Sequence, residues 1–424
     1  MLVALVVIFA FAYAAIAFEH PVGVSKSASA LLGAGLLWTI YAVSTGDHER
    51  IGHELNETVA VTAQIVFFLM GAMTIVEVID AHDGFEIVTS RIRTRSLTAL
   101  LWLICWVTFV LSAILDNLTT AIVMVSLIRK IIDEESDRLL FASMIVIAAN
   151  AGGAWSPMGD VTTTMLWIGG QVTAVGIVKA LFLPSLVNLI VPLLVVGRWL
   201  ARRPFAPAGG FGRSETPAFE RKLMFASGLG VLVLVPAFKQ VTHLPPFMGI
   251  LFGLGLLWLV GELVHRRKDP EAKHRVTVAH ALTQIDMSSI VFFVGILFAV
   301  ATLEHSKILT ALAGWLDAAV GRQDVIVLLL GLLSAIIDNV PLVAAAMGMY
   351  DLSRFPADSF LWEFIAYCAG TGGSILIIGS AAGVAAMGIE KIRFGWYLRK
   401  ISGLALLGYL AGAAVYIVQY RLMP

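Results

Sequence analysis

The stretch LSAILDN at residues 111–117 returns as LSAIIDN at residues 333–339, with six of seven positions identical. Each copy interrupts a long apolar run, 96–132 in the first half of the chain and 324–350 in the second, with an Asp-Asn pair. A polar pair in the middle of an apolar run predicts a helix that stops and turns rather than one that continues. The repeat indicates that the two halves of the chain are copies of one unit.

A second break follows the first in each half. The run 139–170 is interrupted by NAGGAWSPMGD at 150–160, and the run 360–389 by GTGGSILIIGS at 370–380. The glycine spacing is the same in both: Gly152, Gly153 and Gly159 return as Gly372, Gly373 and Gly379. An internal repeat with broken apolar segments in matching places is typical of a secondary transporter.

The composition is that of a chain that crosses a membrane several times. Of its 424 residues, 59% are hydrophobic and 14% are charged, and the mean hydropathy is +0.89. Soluble domains carry roughly 45–50% apolar and about 25% charged residues. The formal net charge is +0, so the composition gives no sign of the basic face that nucleic-acid binding needs. Cys105 and Cys368 lie far apart in apolar stretches, which provides no disulfide framework.

Long, continuous apolar runs predict spanning helices, because barrel strands show alternating segments of about ten residues. The first run lacks a preceding basic residue and a small-residue cleavage site, so we interpret it as a span and not as a signal peptide. The full-length candidate spans are 2–18, 27–44, 59–80, 184–200, 222–238, 244–264, 287–303 and 395–417.

The distribution of basic residues predicts the threading. If both Asp-Asn segments are re-entrant hairpins and the N-terminus is outside, 22 of the 29 Lys and Arg residues lie inside, as the positive-inside rule requires. The predicted fold is all-α and polytopic, with inverted repeats at 1–200 and 222–424 and a cytoplasmic linker at 201–221. Each repeat has a re-entrant hairpin and a glycine-broken transmembrane helix. Both termini are outside, residues 133–137 inside and residues 351–358 outside.

Three carboxylates lie deep in the predicted membrane. Asp116 and Asp338 stand at the hairpin tips, and Asp160 stands in the first glycine break. A charge at the bilayer centre costs roughly 2.5–3.5 kcal/mol on insertion scales, and no Lys or Arg is an obvious partner in the sequence. Such carboxylates must carry a proton or hold a cation, or exchange one for the other. We therefore expect Asp116, Asp160 and Asp338 to bind Na⁺ and protons, with no cofactor.

Neutral oxygen ligands surround these acids in the sequence. The glycines of the first break are expected to let the backbone unwind and turn its carbonyls toward an ion. The second half has fewer oxygens, since Gly370 replaces Asn150 and Ser380 replaces Asp160. The candidate ion- and proton-binding residues besides the acids are Ser112, Asn117, Asn150, Thr162, Thr163, Ser334, Asn339 and Ser374.

A structural role is the alternative for each acid. An Asp that precedes a helix can simply cap its first turn, but a pair repeated in both halves favours ion binding. For Asp160, which precedes DVTTTMLW, capping and ion binding are compatible with each other. A single Ser or Thr in a spanning helix often bonds to the backbone of its own helix.

The quoted motifs resemble those of a known family. LSAILDNLTTAIVM (111–124) and NAGGAWSPMGDVTTTMLW (150–167) are similar to the NhaD-type sodium/proton antiporters of the ion transporter superfamily. MGAMTIVEVIDAHDGF (70–85) and IDMSSIVFFVGILFAVATLE (285–304) fit the same family. The resemblance covers nearly the whole chain, and the Asn-Ala-Gly-Gly to Gly-Asp-Val-Thr-Thr stretch is its most specific part.

The resemblance implies exchange of external protons for internal Na⁺, and for Li⁺ as well, across the inner cell membrane. It also implies an inverted-repeat fold, a homodimer and no enzymatic activity. The residues that match the polar core of that family are Ser112, Asp116, Asn117, Asn150, Asp160, Thr162, Thr163, Ser334, Asp338 and Asn339.

Two other functions stay open at this point. An anion carrier of the same superfamily, for dicarboxylates or arsenite, is disfavoured by three carboxylates with no basic residue among them. An intramembrane enzyme is disfavoured because a His-Glu-x-x-His metal motif is missing from the sequence. The pair Asp116 and Asp338 resembles a protease dyad that shares one proton, but their equivalent positions fit a symmetric ion pathway better.

Overall fold

The structure is a computed structural model, and its described part is helical with no strands. Of the predicted linker 201–221, residue 202 and residues 204–215 lie outside the described part. The described residues are 1–17, 23–89, 94, 96–201, 203, 216–267, 276–336 and 338–422.

The described part of the first half forms nine α-helices. They are α1 (Leu2–Ala17), α2 (Lys26–Thr45), α3 (His48–Ala81), α4 (Glu86–Thr89), α5 (Leu97–Ser112), α6 (Asn117–Ile131), α7 (Glu135–Ala154), α8 (Val161–Ile168) and α9 (Ala174–Leu200). The described part of the second half forms a 3-10 helix at His265–Arg267 and eleven α-helices. They are α10 (Ala218–Thr242), α11 (Pro246–Val264), α12 (Val278–Gln284), α13 (Met287–His305), α14 (Ile308–Val320), α15 (Gln323–Leu333), α16 (Asn339–Met349), α17 (Phe360–Gly372), α18 (Ala381–Glu390), α19 (Phe394–Lys400) and α20 (Ser402–Leu422).

Seven helices of the described part are long and apolar enough to cross a bilayer: α2, α3, α9, α10, α11, α13 and α20. Each overlaps a candidate span from the sequence, although 395–417 is divided between α19 and α20, and the remaining candidate, 2–18, forms the 16-residue helix α1. The prediction of an all-α polytopic membrane protein is therefore confirmed.

The Asp-Asn motifs separate helices that are too short to cross a membrane alone. Helices α5 and α6 have 16 and 15 residues, and α15 and α16 have 11 each. At about 1.5 Å per residue, even α5 is only about 24 Å long, whereas the hydrocarbon core is about 30 Å thick. These lengths suit hairpins that enter and leave on one side, and the side itself stays a prediction.

The glycine breaks differ in one respect from the sequence expectation. Gly152 and Gly153 do not unwind the chain, because both lie inside helix α7. A Cβ atom on Gly152 would come within 2.3 Å of the carbonyl oxygen of Phe109. The glycine is needed for close packing of α7 on α5, and only Gly159 of the three lies in the break itself.

The same contacts recur in the second half. A Cβ atom on Gly372 would meet the carbonyl oxygen of Gly331 at 2.1 Å, and Gly331 is the counterpart of Phe109 in the repeated motif. Close packing of α17 on α15 therefore matches the packing of α7 on α5. The repeat in the sequence is a repeat of local structure, and its inverted orientation stays a prediction.

Helices of the two halves pack against each other. Helices α2 and α13 run parallel, because Ser27 Oγ donates to the carbonyl of Ser288 (2.8 Å) and the Trp38 indole donates to that of Phe298 (2.9 Å). Helices α9 and α20 also pack together, and Gln419 near the end of α20 bonds the carbonyl of Ala180 near the start of α9. This packing brings the two Asp-Asn tips to one place.

Candidate ion-binding site

A small cavity of about 60 Å³ lies between the two halves. The cavity is large enough for water or a small ion, since about 10–15 Å³ already holds one water. Phe68 and Phe293, which occupy matching places in the two halves, form part of its apolar wall. The charged and amide side chains that line it are Lys26, Asp116, Asn117, Asp160, Asp338 and Asn339.

Asp160 is the centre of the hydrogen-bond network at this cavity. It is only 1% exposed and caps helix α8, with Oδ1 accepting from Thr162 N (2.8 Å) and Thr162 Oγ1 (2.7 Å). Its Oδ2 accepts from the amide of Asn117 (2.6 Å) and from that of Asn339 (3.2 Å). Every one of these partners is a donor, which stabilises the charged carboxylate. Asp160 thus caps a helix and ties both hairpin tips together at once.

A second layer of amides and hydroxyls supports this carboxylate. Asn117 Nδ2 also donates to Asn150 Oδ1 at 3.1 Å. Asn150 Nδ2 in turn donates to Ser374 Oγ and Ser380 Oγ, both at 2.9 Å. The network therefore crosses from the first half to the second, and Ser380 occupies the place in the second half that Asp160 has in the first.

Asp116 lines the cavity with little to offset its charge. Its Oδ1 accepts from the backbone N–H of Thr119 at 2.8 Å, which caps helix α6. Among the residues that the structure describes, no basic side chain forms a salt bridge with Asp116. Such a carboxylate can neutralise itself with a proton or with a bound cation.

Asp338 differs, because Lys26 Nζ lies 3.2 Å from its Oδ2. The expectation that the deep acids lack a basic partner is wrong for this residue. Lys26 begins helix α2, and its ammonium group also lies 4.6 Å from the centre of the Phe292 ring on α13. Lys26 is 312 positions away from Asp338 in the sequence, so only the parallel packing of α2 on α13 reveals the pair.

Several predicted ligands face the backbone instead of the cavity. Ser112 Oγ donates to the carbonyl of Ala149 (2.5 Å), and its counterpart Ser334 donates to that of Ala369 (2.9 Å). Thr163 Oγ1 donates to the carbonyl of Asp160 at 2.9 Å. These hydroxyls hold the hairpins and the break in place, while Thr162 donates directly to Asp160, and Asn150 and Ser374 act through the second layer described above.

Comparison with known proteins gives one family match over most of the chain. Residues 13–362 match the family model described as Citrate transporter (CitMHS). The structure also resembles that of the YdaH transporter from Alcanivorax borkumensis, with a TM-score of 0.59 over 93% of this chain and 98% of that one. The two sequences are 13% identical, so this likeness concerns the fold alone.

Relatives in the curated proteins carry a different description. Sodium/proton antiporter 1 of Arabidopsis thaliana is 49% identical over 99% of this chain and 73% of its own length. Sodium/proton antiporter 2 of the same plant is 47% identical over 98% of this chain and 99% of its own length. The Na(+)/H(+) antiporter NhaD of Vibrio cholerae is 29% identical over 98% of this chain and 91% of its own length. The chain belongs to the family described as Citrate transporter and to the sodium/proton antiporters that include NhaD.

Proposed function

We propose that the protein exchanges cytoplasmic Na⁺ for external H⁺, with Li⁺ as a second substrate. The observation that carries this proposal is the carboxylate of Asp116, which lines the cavity between the two halves without a salt bridge in the described part of the chain. The descriptions of the relatives support the same activity. Three carboxylates and one ammonium group leave a net charge that attracts a cation.

The amides at the hairpin tips complete the ligand set that we propose. Asn117 and Asn339 each donate through Nδ2 to Asp160. Each side-chain oxygen therefore stays available as a neutral ligand beside the carboxylate of its neighbouring aspartate. Oxygen ligands of this kind are the ones that hard cations prefer.

Protons and Na⁺ compete in this mechanism. A proton on Asp116 removes the negative charge that holds Na⁺, so the two substrates exclude each other. At Asp338 the ion must also compete with the ammonium group of Lys26. One site that accepts either substrate, opened in turn to each side of the membrane, is sufficient for exchange.

In this proposal, the inverted repeats let the site open alternately to the two sides of the membrane. Contacts between chain segments agree with it: Arg138 bonds Glu390 between two ends predicted to be inside, and Asp358 accepts from Thr173 between two ends predicted to be outside. Single cysteines within 133–137 and 351–358 should label from opposite sides of the membrane. Labelling of both loops from one side would contradict the inverted repeat.

A citrate or dicarboxylate carrier is the second candidate, because of the family description and because Lys26 lies at the cavity. Two features disfavour it. The ammonium group of Lys26 is already paired with Asp338. Asp116 and Asp160 would also repel such an anion.

Flux in everted vesicles with a pH-sensitive dye separates the two candidates. Vesicles that contain the protein are first acidified and then given NaCl, LiCl, KCl or a citrate salt of an untransported cation. We expect Na⁺ and Li⁺ to release protons from the vesicles and citrate to have no effect. A response to citrate without one to Na⁺ would favour the anion carrier.

A further inference from the structure

We propose that His82, His265 and Glu220 form a binding site for Zn²⁺, separate from the ion cavity. All three residues are buried, with exposed fractions of 0%, 1% and 5%. His82 Nε2 lies 3.1 Å from His265 Nε2 and 3.7 Å from Glu220 Oε1, and His265 Nε2 lies 2.8 Å from Glu220 Oε1. Three ligand atoms of types that Zn²⁺ favours thus converge on one point.

The fold brings these residues together from three helix ends. His82 follows the last residue of α3, Glu220 lies in the first turn of α10, and His265 follows the last residue of α11. The cluster therefore joins a helix of the first half to two helices of the second. In the proposed threading, all three ends lie on the cytoplasmic side.

With both rings neutral, a bound cation suits the three facing atoms better than a network of hydrogen bonds. His82 Nδ1 lies 2.6 Å from the carbonyl oxygen of Val78, so it must carry the proton. In the neutral ring, Nε2 of His82 then bears a lone pair and cannot donate to His265. His265 Nε2 faces both that lone pair and Glu220 Oε1, and one N–H cannot fill both contacts well. A cation placed between the three atoms satisfies all of them.

The distances suit a tetrahedral ion. With Zn–N bonds of about 2.0–2.1 Å and a Zn–O bond of similar length, two ligand atoms are roughly 3.3–3.4 Å apart. The three observed separations, from 2.8 to 3.7 Å, lie on both sides of that value. The bond from His82 Nδ1 to a backbone carbonyl is the support that metal-bound histidines usually have.

The ligand types distinguish this site from the transport site. Imidazole nitrogen suits Zn²⁺ and related transition metals, whereas Na⁺ prefers the oxygen ligands found at the cavity. Helix α3 runs from this cluster to the cavity, where Phe68, Leu69, Ala72 and Met73 form part of the wall. A bound metal would fix the end of that helix to α10 and α11, so the site is structural or regulatory.

Metal binding to the full-length protein in detergent tests the proposal. After treatment with a chelator, the wild type should bind one Zn²⁺ per chain. With Co²⁺ as the probe, it should show the visible absorption of a tetrahedral complex. His82→Ala and His265→Ala should each weaken binding of either metal at least about tenfold, the lower end of what even supporting residues of metal sites contribute. The matched control is His305→Ala, because that ring contacts Thr58 near the other end of α3.

Two further measurements keep the test decisive if an alanine variant does not fold. His265→Cys replaces one ligand by another, so it should keep Co²⁺ and add a thiolate charge-transfer band. Zn²⁺ should raise the Tm of the wild type and of His305→Ala, but not that of His82→Gln. Wild-type protein that binds no metal at micromolar free Zn²⁺, or His82→Gln that binds as the wild type does, would overturn the proposal. None of these outcomes depends on Na⁺/H⁺ exchange.

Discussion

Asp116 and Asp338 stand at the same position of a repeated motif, yet their surroundings differ. Asp116 accepts a hydrogen bond from the backbone of Thr119 and has no salt bridge in the described part of the chain. Asp338 forms a salt bridge with Lys26 at 3.2 Å. Both carboxylates line the same cavity. Asp116 can therefore bind a cation directly, whereas Asp338 is already paired with the ammonium group of Lys26.

The difference arises outside the motif. LLGAGLLW at 31–38 in α2 matches LFGLGLLW at 251–258 in α11, with six of eight positions identical. This alignment places Pro246 in the second half where Lys26 stands in the first. Helix α2 therefore brings an ammonium group to the second tip, and its counterpart α11 begins with a residue that has no charge. The repeat sets the backbone, and single replacements give each tip its own electrostatics.

The largest expected effect comes from removing either tip charge. Asp116→Asn and Asp338→Asn should each reduce exchange by at least about 100-fold, because Asn neither titrates nor attracts Na⁺. The two substitutions should change the Tm in different directions. Asp116→Asn removes a charge without a salt bridge and should hold or raise the Tm, whereas Asp338→Asn breaks the salt bridge with Lys26 and should cost about 1 kcal/mol at this partly exposed pair. Flux in everted vesicles and Tm in detergent measure both.

The double variant Lys26→Gln/Asp338→Asn is the control for that difference. It should recover the Tm lost by Asp338→Asn but none of its exchange. Near wild-type exchange in both single variants would mean that the two carboxylates are only helix caps.

Substitution of the two tip amides, Asn117 and Asn339, should have smaller effects, which differ in the apparent KM for Na⁺. Asn117 donates to Asp160 at 2.6 Å and to Asn150 at 3.1 Å, while Asn339 reaches Asp160 only at 3.2 Å or more. Asn117→Ala should therefore raise the apparent KM for Na⁺ about tenfold, in line with a buried hydrogen bond to a charged group. Asn339→Ala should raise it about threefold. The reverse order would contradict the assignment of more ligands to the first half.

Removal of the Lys26 ammonium group should lower the apparent KM for Na⁺, whereas removal of the tip amides should raise it. Lys26→Gln takes away the ammonium group that competes with Na⁺ for Asp338, so the apparent KM for Na⁺ should fall about threefold, as for the loss of a weak, partly exposed ion pair. The control is Lys239→Gln, because the ammonium group of Lys239 bonds the carbonyl of Trp167 away from the cavity. A lost Na⁺ response in Lys26→Gln would mean that the lysine is essential and not a competitor.

The smallest effects should come from the paired serines. Ser112 and Ser334 make equivalent bonds to the backbone of α7 and α17. Ser112→Ala and Ser334→Ala should each lower stability by about 1 kcal/mol and change the apparent KM for Na⁺ less than threefold. A much larger change in KM for one of them would show that its hydroxyl contacts the ion.

The sequence was sufficient for the helices and for the two equivalent breaks. Apolar length predicts the spans, and the duplicated Asp-Asn motif predicts two equivalent breaks, because both follow from local physical requirements. The sequence was not sufficient to predict the role of Gly152 and Gly153. A glycine that unwinds a helix and a glycine that lets two helices pack closely have the same local sequence pattern. Nor was the sequence sufficient for the pair of Lys26 with Asp338, which depends on how distant helices pack.

The most direct test of a shared carboxylate is the apparent KM for Na⁺ as a function of pH, measured in everted vesicles with the wild-type protein. If protons and Na⁺ compete for Asp116, the KM should rise as the pH falls. The slope should approach about tenfold per pH unit once the carboxylate is mostly protonated, while the maximal rate reached at saturating Na⁺ should change less. A KM that stays constant over about two pH units in which exchange itself declines would contradict a shared site and require separate sites for the two substrates.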